Sequence, residues 1–183
     1  AAAAIWNVSS SGPAEVVFEW SPCRLDPRYT GDRTAFDAAF LIGEEHAPRH
    51  IIGIETKYHE HAVAEKRPDA MKRLPRYREI TERSGIFRKG WENQVLETEL
   101  QQVWRDHLLL LSMLQHPSGK WAGGLYALVY PARNPSFREI GERYLDLLTD
   151  DATFAPMAVE ELLDMHVLHR PQEEAGFRER YLW

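Results

Sequence analysis

Apolar residues in the first third of the chain come in short, β-branched and aromatic runs. In the middle they recur at helical spacing. "AEVVFEW" (14–20) predicts a strand. "SPCRLDPRYTGDR" (21–33), with two prolines and a glycine, predicts a loop. "TAFDAAFLI" (34–42) predicts a second strand, "GEEHAPR" (43–49) a polar turn, and "HIIGIETKYHE" (50–60) a third strand. Residues 61–91 read as a long polar connection with a short helix at 75–85, Pro75 in its first turn and Gly85 at its end. Leu96, Leu100, Val103, Leu110, Leu111 and Leu114 then predict a long helix over 92–115. The run Leu108 to Leu111 is apolar all round, as in a buried helix.

"WAGGLYALVYPA" (121–132) predicts a buried strand, and "PSFREIGERYLDLLTD" (135–150) a helix with Ser136 and Glu139 at capping-box spacing. "FAPMAVEELLDMH" (154–166) holds a short strand and then a helical turn, while "GFRERYLW" at the end fits neither pattern cleanly. Three successive strands imply an antiparallel portion, and the long helix before the fourth implies a crossover. The expected fold class is α/β, a mixed sheet with helices packed on it.

Composition adds limits. The 183 residues, 44% hydrophobic and 27% charged, suit one globular, soluble domain over 1–183. The longest apolar stretches fall short of the roughly 20 residues of a membrane helix. No secretory signal is legible, and without an initiator Met the chain is expected to be a fragment lacking its true N-terminus. The single Cys23 excludes an internal disulfide and a cysteine-rich zinc site, so the default setting is a reducing cytoplasm. Net charge is −6, yet Lys66 to Lys89 is a basic segment with Arg73, Arg76, Arg78, Arg83 and Arg88. Such a segment is either a solvated surface or a polyanion-binding one.

Chemistry concentrates on the second and third strands. Glu55 and Lys57 share a face with Gly53 by alternation, and Asp37 shares one with Ala35 and Ala39, with Phe36, Phe40 and Ile42 opposite. If the turn centres on His46, residues whose numbers sum to 92 face each other, and Asp37 meets Glu55. Carboxylates so placed repel. Either Lys57 offsets the repulsion as an ion-paired cluster, or a divalent cation does, and Mg²⁺ takes one or two carboxylates plus waters and phosphate oxygens. The small Gly53, Ala35 and Ala39 would then leave room for a substrate backbone.

An aspartate in "FDAAF" followed on the next strand by "IETK" resembles the active-site motif of the PD-(D/E)XK nuclease superfamily, the restriction-endonuclease-like fold. The resemblance covers roughly residues 14–132. Through "QQVWRDHLL" and "ALVYPARN" the chain is similar to a bacterial branch of restriction-endonuclease-like proteins. It implies that Asp37 and Glu55 bind Mg²⁺ or Mn²⁺, that Lys57 assists the attacking water, and that a nucleic-acid phosphodiester is hydrolysed. By family analogy DNA is the expected substrate, endonucleolytic cleavage the expected mode, and a homodimer a common assembly. The alternative is a nuclease-fold protein that binds nucleic acid or a partner without cleaving. Phe36 stands where the family has proline, and the family's first core helix is not legible before the first strand.

Several branches add a glutamine on the following helix. Gln102, on the flank of the apolar stripe, is the candidate for positioning water or phosphate, and a surface glutamine is the competing reading. Gln101 points away from the stripe. Asp106 stands where recombination-type members carry tyrosine. In the basic segment, Tyr77, Phe87 and Trp91 could stack on bases or belong to the core. His59 and His61 read as surface residues, His166 and His169 as structural, Ser9 to Gly12 as no phosphate loop, and Cys23 with His107 as no nucleophile pair.

Overall fold

The structure, a computed structural model, describes residues 13–44, 49–64, 68–165 and 171–182, with side chains of the first helix from residue 72 onward. Strands β1 (Ala14–Trp20), β2 (Phe36–Ile42), β3 (Arg49–Thr56), β4 (Trp121–Tyr130) and β5 (Phe154–Ala158) form one five-stranded sheet in the order β1-β2-β3-β4-β5. β1, β2 and β3 pair antiparallel, and β3, β4 and β5 pair parallel. The described helices are α1 (Pro68–Ser84), α2 (Trp91–Val95), α3 (Leu100–Leu114), α4 (Pro135–Leu145), α5 (Val159–Asp164) and α6 (Pro171–Tyr181). The segment α1 to α3 carries the chain from β3 to the parallel β4, which is the anticipated crossover. No described helix is long and apolar enough to cross a membrane.

The β2–β3 ladder runs from Ala38–Ile54 to Ile42–His50, so every pair sums to 92. That is the register expected from centring the turn on His46, a residue outside those described. β3 is shorter than expected and ends at Thr56, with one further bond from Lys57 N to Val129 O. β4 stops at Tyr130, because Pro131 has no N–H to continue the ladder.

α1 is longer than the predicted 75–85 and carries Pro75 in its interior. An interior proline costs about 3 kcal/mol. Against that cost, Leu74, Tyr77 and Ile80 are buried in the core, each large apolar side chain contributing roughly 1.5–3 kcal/mol. The predicted helix 92–115 is two helices. Leu96 is extended, Glu97 has φ 59°, and Thr98 Oγ1 donates to the carbonyls of Gln94 and Val95. A hydroxyl that bonds the preceding turn competes with helix continuation. Gln101, expected to point away from the core, is buried, and its side-chain oxygen accepts from Glu97 N. α4 is capped by Asn134, not by Ser136, whose hydroxyl accepts instead from Ala62 N.

α3 lies on the sheet face that carries Ala39, Leu41, Ile51, Tyr126 and Leu128, with Leu108, Leu109, Leu110 and Met113 in the same core. Gly124 permits this approach: a Cβ there would stand 2.6 Å from Leu110 Cδ1. The core face is thereby closed around its middle. Toward the carboxyl end of β3 it opens into a cleft.

Candidate active site

Asp37 and Glu55 occupy the next positions of the β2–β3 register, just beyond the last ladder pair. Both line a cleft of about 490 Å³ together with Ala35, Gln102, Arg105 and Asp106. Glu55 is 7% exposed, an unusual place for a carboxylate. Asp37 is fixed by its neighbour strand: Thr56 N and Thr56 Oγ1 each donate to Asp37 Oδ2 at 2.7 Å. Glu55 Oε1 accepts from Lys57 Nζ at 2.7 Å and from Gln102 Nε2 at 3.3 Å. Lys57 and Gln102 are thus both bonded to Glu55, and Asp37 stands beside it in the register.

Burial pushes the Glu55 carboxyl above its ordinary value, and the negative Asp37 pushes the same way. The charge and hydrogen bond of Lys57, and the more distant Arg105, oppose the shift without cancelling it. Lys57 is as enclosed as its partner, each side chain being 10% exposed. Its stem lines a neighbouring apolar cavity with Val129, Phe177 and Tyr181, while its ammonium reaches Glu55 and sits 5.8 Å from the centroid of the Phe137 ring.

These bonds engage Asp37 Oδ2 and Glu55 Oε1, one oxygen of each carboxylate. Among the described residues no cluster of three or more His, Cys, Asp or Glu could hold a metal ion. Two carboxylates side by side in a cleft fit a hard divalent cation that completes its shell with water and substrate phosphate, the usual manner of Mg²⁺. They do not fit an all-protein cage.

One expectation fails. Gly53 leaves no room for substrate, because a Cβ there would meet the Phe36 ring at 2.6 Å. Phe36 lies beyond the β3 ladder and past the interruption of the β1 ladder at Glu19, and its ring packs on the core side, 6.2 Å from that of Tyr126. Ala39 is likewise fully buried, leaving only Ala35 of the three small residues on the cleft wall. In the basic segment, read as either a solvated surface or a polyanion-binding one, several arginines bond within the fold while Arg73 lines the cleft. Arg76 bonds the carbonyls of Arg28 and Tyr29, Arg78 pairs with Glu92, and Arg88 bonds Asp146 O. Tyr77 is buried with its hydroxyl donating to Asp32, so its ring is closed to stacking, and Trp91 is half-buried with its ring 5.1 Å from that of Trp104. Phe87 packs against the core as well. Lys66 and Arg67 lie outside the described residues, as do His166, His169 and Ser9 to Gly12.

His59 and His61 are exposed and follow the end of β3, so they do not extend its face. Cys23 is exposed and His107 is buried, hydrogen-bonded to Tyr144 OH and Thr153 Oγ1. Arg105 and Asp106 join the cleft without having been named as site residues from the sequence, although their spacing of three and four from Gln102 places them on one helix face. Glu19 joins it too. It stands opposite Asp37 between the pairs Phe18–Ala38 and Trp20–Phe36, at φ 48°, and lines the cleft.

No curated protein and no solved structure matches the chain significantly. A family model described as the PD-(D/E)XK nuclease superfamily matches residues 3–183. The five-stranded mixed sheet with its crossover helices is the restriction-endonuclease-like α/β fold, and this chain belongs to the PD-(D/E)XK nuclease superfamily.

Proposed function

We propose that this protein is a metal-dependent nuclease that hydrolyses phosphodiester bonds, acting as an endonuclease on DNA. The observation that carries the reading is the bonded set at one cleft: Asp37 and Glu55 adjacent in register, with Lys57 and Gln102 both on Glu55 Oε1. Asp37 and Glu55 would hold Mg²⁺ or Mn²⁺, which when bound lowers the pKa of water and neutralises charge on the phosphate. Thr56 keeps Asp37 oriented for this through two donated bonds. Lys57 orients the attacking water and stabilises the anionic transition state, the work of a preorganised cation in an enclosed site. Gln102 holds the Glu55 carboxylate in place and offers an amide to water or phosphate. Water adds to phosphorus, the bridging P–O bond breaks, and the products are a phosphate monoester and a hydroxyl.

The test is calorimetric titration of Mn²⁺ into the wild-type chain and Glu55→Ala, followed by plasmid nicking with both. Binding and nicking that both disappear in Glu55→Ala are the expected result. Equal metal binding by the two proteins would remove the metal site and the nuclease reading with it.

A further inference from the structure

Arg24, Arg33, Arg73 and Arg105 all line the cleft that holds Asp37 and Glu55. Only Arg73 belongs to the basic segment that the sequence picks out. Arg24 and Arg33 come from the loop between β1 and β2, whose charge does not stand out along the chain.

That loop is held rigidly. Leu25 N donates to Asp32 O at 2.6 Å, and Tyr29 N to Asp26 O at 3.0 Å. α1 clasps it from outside: Arg73 Nε donates to Gly31 O at 2.5 Å, and Arg76 to the carbonyls of Tyr29 and Arg28. The loop's acid on the cleft wall is occupied internally. Asp32 accepts from Thr30 Oγ1, Thr34 N, Thr34 Oγ1 and Tyr77 OH, all within 2.9 Å. Its charge is taken up by these donors of the loop and of α1.

The arginines are placed differently. Arg24 is exposed and gives one bond, Nη2 to Glu19 O at 2.9 Å. Arg73 gives the one bond already described through Nε. Each bond sets the plane of a guanidinium that has further N–H donors beyond it. Arg33 is exposed and takes no part in the bonds that hold the loop. Leu25, next to Arg24 in the chain, also lines the cleft, 48% exposed and in the left-handed region at φ 66°. Backbone held in that region away from glycine is strained and persists where surroundings enforce it. Here it presents an apolar side chain beside cations, a combination that suits a sugar or base next to its phosphates.

We propose that Arg24, Arg33 and Arg73 bind the phosphates that flank the one positioned at Asp37 and Glu55, making the loop between β1 and β2 the platform for the nucleic-acid strand. The assignment of a central phosphate rests on the nuclease reading; the arginine platform itself does not need cleavage. Guanidinium groups recognise phosphate bidentately and do so without reading sequence.

The test uses fluorescence anisotropy of a fluorescein-labelled oligonucleotide of random sequence, single-stranded and duplex, in EDTA so that no hydrolysis intervenes. Wild type, Arg24→Gln, Arg33→Gln, Arg73→Gln and the triple variant are compared, with Arg83→Gln on the exposed part of α1 as control. Each cleft substitution should weaken binding several-fold near 0.1 M salt. Each should lower the slope of log K against log salt by about 0.7–0.9, the value for one phosphate contact. Mn²⁺ binding should be unchanged, and the control should match wild type. Arg73 anchors the loop, so its variant is checked by thermal melting, and Arg33→Gln carries the test if that variant unfolds. A triple variant with the wild-type slope overturns the proposal, as does a wild type with no salt-dependent binding. Cleavage that depends on Glu55 but ignores the arginines would leave the nuclease reading and remove the platform. A lowered slope without any cleavage would do the reverse.

Discussion

Lys57 Nζ lies 2.7 Å from Glu55 Oε1, yet burial outweighs this ion pair and holds the Glu55 carboxyl above the ordinary value of 4.5. The pair is thus under electrostatic tension, with a second carboxylate at Asp37 adding to it. A divalent cation would relieve what one ammonium cannot.

Metal affinity should therefore depend on pH in a definite direction. Binding at Glu55 requires the carboxylate and displaces its proton. Because the proton is held more tightly than by a free glutamate, Mn²⁺ affinity should begin to fall at a pH above the ordinary carboxylate range. The fall should approach tenfold per pH unit for one displaced proton. Calorimetry in buffers of different ionisation heat measures both the affinity and the proton released. Affinity flat down to pH 4.5 would contradict the raised value.

Lys57→Met separates the two tasks that the lysine would perform. The substitution removes a cation that competes for Glu55, so Mn²⁺ should bind at neutral pH no more weakly than to wild type. Cleavage should fall by roughly 10²–10³, the scale for loss of one electrostatic stabiliser. Single-turnover assays at saturating Mn²⁺ are the measurement. Retained cleavage would take Lys57 out of the mechanism and leave it as a structural ion pair.

Gly53→Ala probes the packing beneath the site. The added Cβ would sit 2.6 Å from the Phe36 ring, which is fully buried against the core. Overpacking of this kind costs typically about 1–3 kcal/mol. The melting temperature should drop, and Gly53→Ala combined with Phe36→Leu should recover part of the loss. Equal stability of wild type and Gly53→Ala would show that the ring moves freely.

The parts of this architecture that are legible in the sequence share a physical basis. Alternation along β2 and β3 fixes faces, and numbers summing to 92 fix the partners, so strand geometry alone brings Asp37 and Glu55 together. Gln102 is reachable because helical periodicity is regular over α3. What is not legible depends on individual side-chain bonds, most of them to residues distant in sequence. Arg24 and Arg33 sit in a loop shaped by donors from α1, and Pro75 is tolerated in that helix because its neighbours are buried. The break at Leu96 to Glu99 hinges on one Thr98 hydroxyl, and the Phe36 ring departs from alternation where the ladder ends. Periodicity carries no record of such individual side-chain bonds, local or tertiary.

His107 predicts how the fold responds to acid. Its ring is enclosed by Phe87, Tyr126, Tyr144 and Phe154, and burial pushes its pKa down to about 3 from 6.5. Between those values the unfolded chain binds a proton that the folded protein does not. The stability tied to this residue is therefore complete above about pH 6.5 and is lost as pH falls toward 3, at up to about 1.4 kcal/mol per pH unit. Urea unfolding at a series of pH values should show that slope in wild type and a shallower one in His107→Gln, which cannot titrate there. His107→Gln should also be less stable at pH 7.5, because the bonds to Tyr144 OH and Thr153 Oγ1 are re-formed with poorer geometry. The ring resonances of His107 give a direct check: they should stay in the neutral form down to pH 4.5. A midpoint near 6.5 would mean that water reaches the ring and that the core around α3 is looser than its packing implies.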